Sequence, residues 1–271
     1  MDPRPIGVFD SGVGGLTVFH ALESALPDEA LVYLGDTARV PYGSKSAETV
    51  VRYSVEAAHF LKRHDVKMLV VACNTASSVA LGAVEQVAGV PVLGVILPGA
   101  RRAAEQTRGG RIGVIGTRAT IGSEAYPRAI RALRPEAHVL SRPCPLFVPL
   151  AEEGWTDNDV ARQVAEAYLA PLREDEVDTL VLGCTHYPLL RDVIGGVMGP
   201  RVQLVDSAES VAADVVAWLV AHPTLAAPAG RDRSTADHFF VTDVPTPFAA
   251  VAERFLGRPI QRLERAKIEG E

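Results

Sequence analysis

Short apolar runs, each stopping at glycine or a small polar residue, alternate along this chain with longer stretches in which apolar residues recur at helical spacing. Runs apolar at consecutive positions mark strands buried on both faces of a parallel sheet. Ile6 to Phe9 is the first and stops at Asp10-Ser11; the loop Gly12-Val13-Gly14-Gly15 then opens a helix expected to reach about Ala25. Leu31 to Leu34 is the second, leading into Gly35-Asp36-Thr37 and the loop Val40-Pro41-Tyr42-Gly43. Ser46 stands where a helix cap belongs, ahead of Val50, Tyr53, Ala57, Phe60 and Leu61 at helical spacing. Met68 to Ala72 is a third strand, running into Cys73-Asn74-Thr75-Ala76-Ser77-Ser78. Pro91 to Ile96 is expected as a fourth after a short helix, with Pro98-Gly99 breaking the chain behind it.

The order then starts again. Arg111 to Ile115 ends at Gly116-Thr117 much as Ile6 to Phe9 ends at Asp10-Ser11. His138 to Leu140 matches the second strand, Thr179 to Gly183 with Cys184-Thr185-His186-Tyr187-Pro188 matches the third, and Val202 to Val205 the fourth. Four strands in the same order at nearly constant offset predict a duplicated α/β unit. The fold expected is two flavodoxin-like, doubly wound parallel-sheet domains with the active site in the cleft between them. A helix from Ala208 to about Val220, a loop from Pro223 to Gly230, a strand at His238 to Val241 and a helix from about Pro247 to Leu256 remain. The extra strand is expected to complete the first sheet, so the first domain takes residues 1–97 with 208–271 and the second takes 98–207.

Composition narrows the partners. In 271 residues, 48% are hydrophobic and 22% charged, enough for a globular protein with a sizeable core. The formal charge of −6 and the lack of a basic stripe argue against nucleic acid. No apolar run approaches the roughly 18 residues of a membrane span, and Met1-Asp2-Pro3-Arg4-Pro5 lacks a signal peptide's apolar segment. Three cysteines, an odd and sparse count, point to reduced thiols in the cytoplasm and away from a disulfide framework. A homodimer is retained as an expectation for assembly.

In a doubly wound sheet of order 2-1-3-4-5, ligands bind beyond the carboxyl ends of strands one and three, where the winding reverses. That rule brings Asp10-Ser11 and Cys73-Asn74-Thr75 to one crevice, and Thr117 and Cys184-Thr185-His186 to another. If the crevices face each other, a small ligand lies between two thiols. Each cysteine is expected at the foot of a helix, where backbone N–H groups favour the thiolate. One thiolate can then take a proton from carbon while a thiol opposite supplies one, inverting a stereocentre with no metal or electron sink. Ser11, Asn74, Thr75, Thr117, Thr120 and Thr185 supply hydroxyls and an amide for carboxylates, together with helix N-termini. Asp10, Glu152 and His186 are placed to hold an ammonium group or tune the thiols.

The blander readings concern the same residues. Free cysteine is often a plain buried hydrophobe, and Cys144, between two prolines, is read as one. Asp10-Ser11 also suits helix capping, His186 a satisfied core histidine, Tyr42 loop packing and Glu152 an exposed carboxylate. The glycine loop is neither G-x-G-x-x-G nor followed by G-K-[ST], so nucleotide binding is not expected.

Four motifs, Asp10-Ser11-Gly12-Val13-Gly14-Gly15-Leu16, Pro41-Tyr42-Gly43, Ala72-Cys73-Asn74-Thr75-Ala76 and Gly183-Cys184-Thr185-His186-Tyr187-Pro188-Leu189, resemble in order and spacing the motif set of the glutamate racemases in the aspartate/glutamate racemase family. The likeness runs from about residue 6 to 256. It implies cofactor-independent interconversion of L- and D-glutamate, the D-form going to peptidoglycan, with Cys73 and Cys184 as the acid/base pair. It also implies that Asp10, Ser11, Tyr42, Gly43, Asn74, Thr75, Thr185 and His186 hold the substrate. Thr117, Thr120 and Glu152 fall at less sharply bounded positions of the same pattern. Three alternatives stand beside it: a racemase for aspartate or another acidic amino acid, a metal-dependent hydrolase using Cys73, Cys184 and His186 as ligands, and a two-lobed binding protein without catalysis.

Overall fold

The computed structural model describes residues 1–230, 237–244 and 248–268. Its strands are β1 (Ile6–Asp10), β2 (Leu31–Gly35), β3 (Met68–Val71), β4 (Val92–Gly94), β5 (Arg111–Gly116), β6 (His138–Pro143), β7 (Thr179–Gly183), β8 (Gln203–Asp206), β9 (His238–Val241) and β10 (Leu263–Arg265). They form two parallel sheets, one ordered β10-β9-β2-β1-β3-β4 and one ordered β6-β5-β7-β8. Within each sheet the order 2-1-3-4 recurs, so the winding reverses between β1 and β3 and again between β5 and β7.

The side-chain period of two sorts each strand between two apolar layers. Ile6, Val8, Leu31, Tyr33, Met68 and Val70 face one cluster with the helix Leu16–Ala25. Phe9, Val32, Leu34, Leu69 and Val71 face another with Val50, Ala57 and Leu61 of the helix Ala47–Lys62. The first cluster continues into the second sheet through Ile115, Leu180 and Leu182, so one body of apolar packing underlies both. Ser46 caps its helix as expected, its side chain accepting from the Thr49 N–H.

Three expectations are corrected. The fourth strand is only Val92–Gly94, and Pro98-Gly99 lies inside the helix Ile96–Gln106. Proline costs nothing in a first turn, where its missing N–H would have no intrahelical partner. The added strand joins the first sheet as expected, but beside β2 and not beyond β4 as a 2-1-3-4-5 order requires. The reason lies in its two adjacent aromatics. Phe239 packs against Phe19 on one face, centroids 4.7 Å apart, and Phe240 against Phe60 on the other, 5.2 Å apart. The tail past Gly257, for which no element was expected, forms β10 beside β9 and buries Ala266 and Ile268. The last helix spans Phe248–Leu256, and its expected start at Pro247 lies outside the described residues.

Candidate active site

The carboxyl ends of β1, β3, β5 and β7 converge on one cavity of about 240 Å3. Pockets for drug-sized ligands run from roughly 300 to 1,000 Å3, so this one suits a small metabolite. Cys73 and Cys184 both line it, each about 95% buried. Ser11, Tyr42, Gly43, Asn74, Thr75, Thr117, Glu152, Thr185 and His186 join them. The cavity brings together all but two of the residues singled out in the sequence. Asp10 and Thr120 lie behind the lining, at 1% exposure each, and touch the cavity only through other residues.

The two sulfurs stand in different surroundings. Cys73 caps the helix Asn74–Val79: its Sγ accepts from the Ala76 N–H at 3.5 Å and lies 3.5 Å from the Ser11 hydroxyl. Burial pushes the Cys73 thiol up to about 12, and nearby Asp10 adds to this while the two hydrogen bonds oppose it. Cys73 is therefore a neutral thiol at pH 7. Cys184 does not sit at an α-helix terminus, which corrects the expectation; the turn at His186 leads into the short 3-10 segment Tyr187–Leu190. Its partner is an imidazole instead. His186 Nδ1 lies 3.8 Å from Cys184 Sγ, and Nε2 is 2.9 Å from Glu152 Oε1. Burial pulls the imidazole down, but its bonds to Cys184 and Glu152 outweigh this and raise it to about 10. A protonated His186 puts a cation against the Cys184 sulfur.

Asp10 lies beneath Ser11 and Gly12. Its Oδ2 accepts from the Gly12 N–H at 2.9 Å, Oδ1 has no partner, and burial raises its carboxyl against the pull of His186 and nearby N–H groups. Thr75, Thr117 and Thr120 form a triangle of hydroxyls with edges of 2.9, 3.0 and 3.3 Å, which joins the β3 end to the β5 end. Thr120 works from behind, as a support for the other two. The loop carrying Tyr42 and Gly43 closes on this triangle, and a Cβ on Gly43 would come 2.8 Å from Thr117 Cβ. Tyr42 is 1% exposed, and its hydroxyl is engaged with the buried Asp36 carboxylate. Glu152, not Glu153, reaches His186; Glu153 ends the helix Phe147–Glu152.

Sequence reasoning missed part of the wall. Val40, Pro145, Val148 and Pro149 give an apolar side, and Arg118 adds a cationic side chain. The prolines around Cys144 were visible, but that segment has no counterpart in the first half. The last helix was expected, but not its contact with the site: Phe255 packs edge-on against His186 at 5.1 Å, and the Arg254 guanidinium donates to the Glu152 carbonyl. Among the described residues, no three His, Cys, Asp or Glu side chains gather as metal ligands would.

The sequence profile of the Asp/Glu/Hydantoin racemase family matches residues 6–215. The chain belongs to that family. Within the racemases it is 57% identical to the glutamate racemase of Geobacter metallireducens over 99% of this chain and 98% of that one. Its structure is similar to that of Francisella tularensis glutamate racemase in complex with D-glutamate, with a TM-score of 0.93 at 37% identity and full coverage of both chains. The Escherichia coli glutamate racemase in complex with L-glutamate and an activator, UDP-MurNAc-Ala, superposes with a TM-score of 0.81 at 34% identity, covering 99% and 100%. As in those racemases, two α/β sheets make up the chain. No helix among the described residues is long and apolar enough to cross a membrane.

Proposed function

We propose that this chain is a glutamate racemase that interconverts L- and D-glutamate without a cofactor, Cys73 and Cys184 acting as the two acid/base residues. The observation that carries the reading is that both thiols line a single small cavity, one beside an imidazolium and the other neutral. A resting pair of one thiolate and one thiol is what a two-base racemisation needs. The Cys184 thiolate takes the Cα proton from one face of the substrate and becomes a thiol. The Cys73 thiol gives its proton to the opposite face and becomes the thiolate. The enzyme then holds the same number of protons with the roles exchanged, ready for the reverse reaction. Between the two steps, negative charge spreads onto the α-carboxylate, where Ser11, Asn74, Thr75 and Thr185 supply donors. Val148 and Pro149 suit the side-chain methylenes.

Residues 1–97 with 208–271 form one lobe in this proposal and 98–207 the other, with the substrate held between them. A cytoplasmic site of action is part of it, since three free cysteines stay reduced there. D-glutamate is then available for peptidoglycan.

A chiral assay on L-glutamate and L-aspartate, with no added cofactor and with or without chelator, tests the activity and the substrate together. Preference for aspartate would move the assignment to the sister racemases, and loss of turnover with chelator would bring back the metal-dependent reading. In deuterated buffer the product should carry deuterium at Cα while recovered substrate carries little during early turnover. Cys73→Ser and Cys184→Ser should each lower kcat by about two to four orders of magnitude, the usual contribution of a positioned acid or base. Near-normal turnover in either variant would overturn the two-base assignment.

A further inference from the structure

Tyr126 takes no part in the proton transfers, does not line the cavity and belongs to none of the four motifs. It is nonetheless almost fully buried, at the start of the helix Ala125–Leu133, between the two strand ends that carry the cysteines. Its hydroxyl donates to Asn74 Oδ1 at 2.7 Å, next in sequence to Cys73. Its ring lies against two glycines. A Cβ on Gly183, the residue before Cys184, would come 3.0 Å from the ring, and a Cβ on Gly99 would come 3.2 Å from it on the other edge. Burial holds the phenol well above its ordinary range, so it remains a donor at any working pH.

The consequence falls on Asn74. A primary amide offers two N–H donors and one carbonyl acceptor, and its two ends are nearly the same size. With the phenol on Oδ1, Nδ2 donates one hydrogen to Ser207 Oγ at 3.3 Å, a hydroxyl that also lies beside the phenol. Ser207 Oγ in turn is fixed on the Leu182 carbonyl at 3.3 Å, in the strand that leads to Cys184. One N–H of Asn74 is left, and Asn74 lines the cavity.

We propose that Tyr126 is a positioning residue, which fixes the Asn74 amide with its free N–H toward the substrate carboxylate and braces the Cys73 strand end against the Cys184 strand end. This rests on the racemase reading above. A tyrosine that only filled space would matter through its ring, whereas this role runs through its hydroxyl and through Asn74.

Kinetics on both enantiomers of glutamate, with melting temperatures, for the wild type, Tyr126→Phe, Asn74→Ala and the double variant separate these roles. Loss of one neutral hydrogen bond should raise KM for glutamate roughly three- to tenfold, with a smaller change in kcat. The ring is retained, so the melting temperature should move little. In the Asn74→Ala background, Tyr126→Phe should add no further rise in KM, because the amide it orients is gone. Tyr126→Phe with the wild-type KM, or with a KM rise that multiplies with that of Asn74→Ala, would overturn the inference alone. A wild type that racemises no acidic amino acid would overturn the racemase reading, and this with it.

Discussion

His186 sets the charge beside Cys184 in the proposed mechanism. Held between Cys184 and Glu152, its imidazole rises from 6.5 to about 10, while burial takes Cys73 to about 12. His186→Asn keeps a polar side chain but removes the cation beside Cys184, and kcat/KM should fall by about two orders of magnitude. Because the equilibrium constant between enantiomers is one, the fall must be the same from L- and from D-glutamate, which a chiral assay in both directions checks. The wild-type rate should decline as pH passes about 10, where His186 loses its proton. Stability depends on the same group. A pKa raised on folding contributes stability that is complete below about 6.5 and lost as pH rises through about 10. The melting-temperature gap between wild type and His186→Asn should therefore narrow across that window; a gap constant with pH would show that His186 is neutral in the folded protein. At this scale the sequence was informative about kind more than place. Residue types told that thiols, hydroxyls and carboxylates share a crevice, but Asp10 and Thr120 lie behind its surface because side-chain direction depends on rotamers and neighbours that spacing does not encode.

Among the elements, the strand ends were the most legible feature, since the reversal of winding in a 2-1-3-4 sheet needs only the order of apolar runs. Asp10 with Cys73, and Thr117 with Cys184, meet for that reason alone. The turn after each strand was harder to read. Cys73 leads directly into a helix, but Cys184 leads into a 3-10 turn at Tyr187–Leu190, so equivalent sequence positions have different surroundings. The edge strand β9 was visible in its apolar run, but its place beside β2 was not, because that depends on Phe19 and Phe60 from helices far away in sequence. Pro98-Gly99 looked like a break because a proline at the third residue of a helix and a glycine packed on Tyr126 cannot be told from a turn without the fold. The glycine loop before the first helix shows how tightly these elements meet. A Cβ on Gly14 would lie 2.4 Å from both His186 Nδ1 and Thr185 Oγ1. Gly14→Ala should therefore displace His186 from Cys184, and a displacement near 1 Å costs catalysis about 100-fold. Circular dichroism should show the fold retained and steady-state kinetics the loss; unchanged kcat/KM would mean that the loop and His186 can separate freely.

At the scale of the molecule, the duplicated plan leaves the segment after residue 207 without a counterpart, and that segment ties the halves together. After the helix Ser207–Ala221 the chain returns to the first sheet as β9, sends out the helix Phe248–Leu256, and closes with β10. That last helix packs on Leu16–Ala25 in the first unit, yet its Phe255 covers His186 and its Arg254 holds the Glu152 carbonyl in the second. The same aromatic chemistry therefore does two jobs in one tail: Phe239 serves the sheet, tilted against Phe19 and Tyr33, and Phe255 serves the site. Alanine at either position removes a buried phenyl ring and should destabilise by about 3–5 kcal/mol. The two should part company in kinetics. Phe255→Ala takes away the wall that keeps His186 against Cys184, so the folded variant should lose about tenfold in kcat/KM, and Phe239→Ala should keep the wild-type value. Assays well below both melting temperatures make the comparison fair, because both populations are then folded. Equal kcat/KM in the two variants would reduce the tail to a stabiliser of the first sheet and separate it from the chemistry.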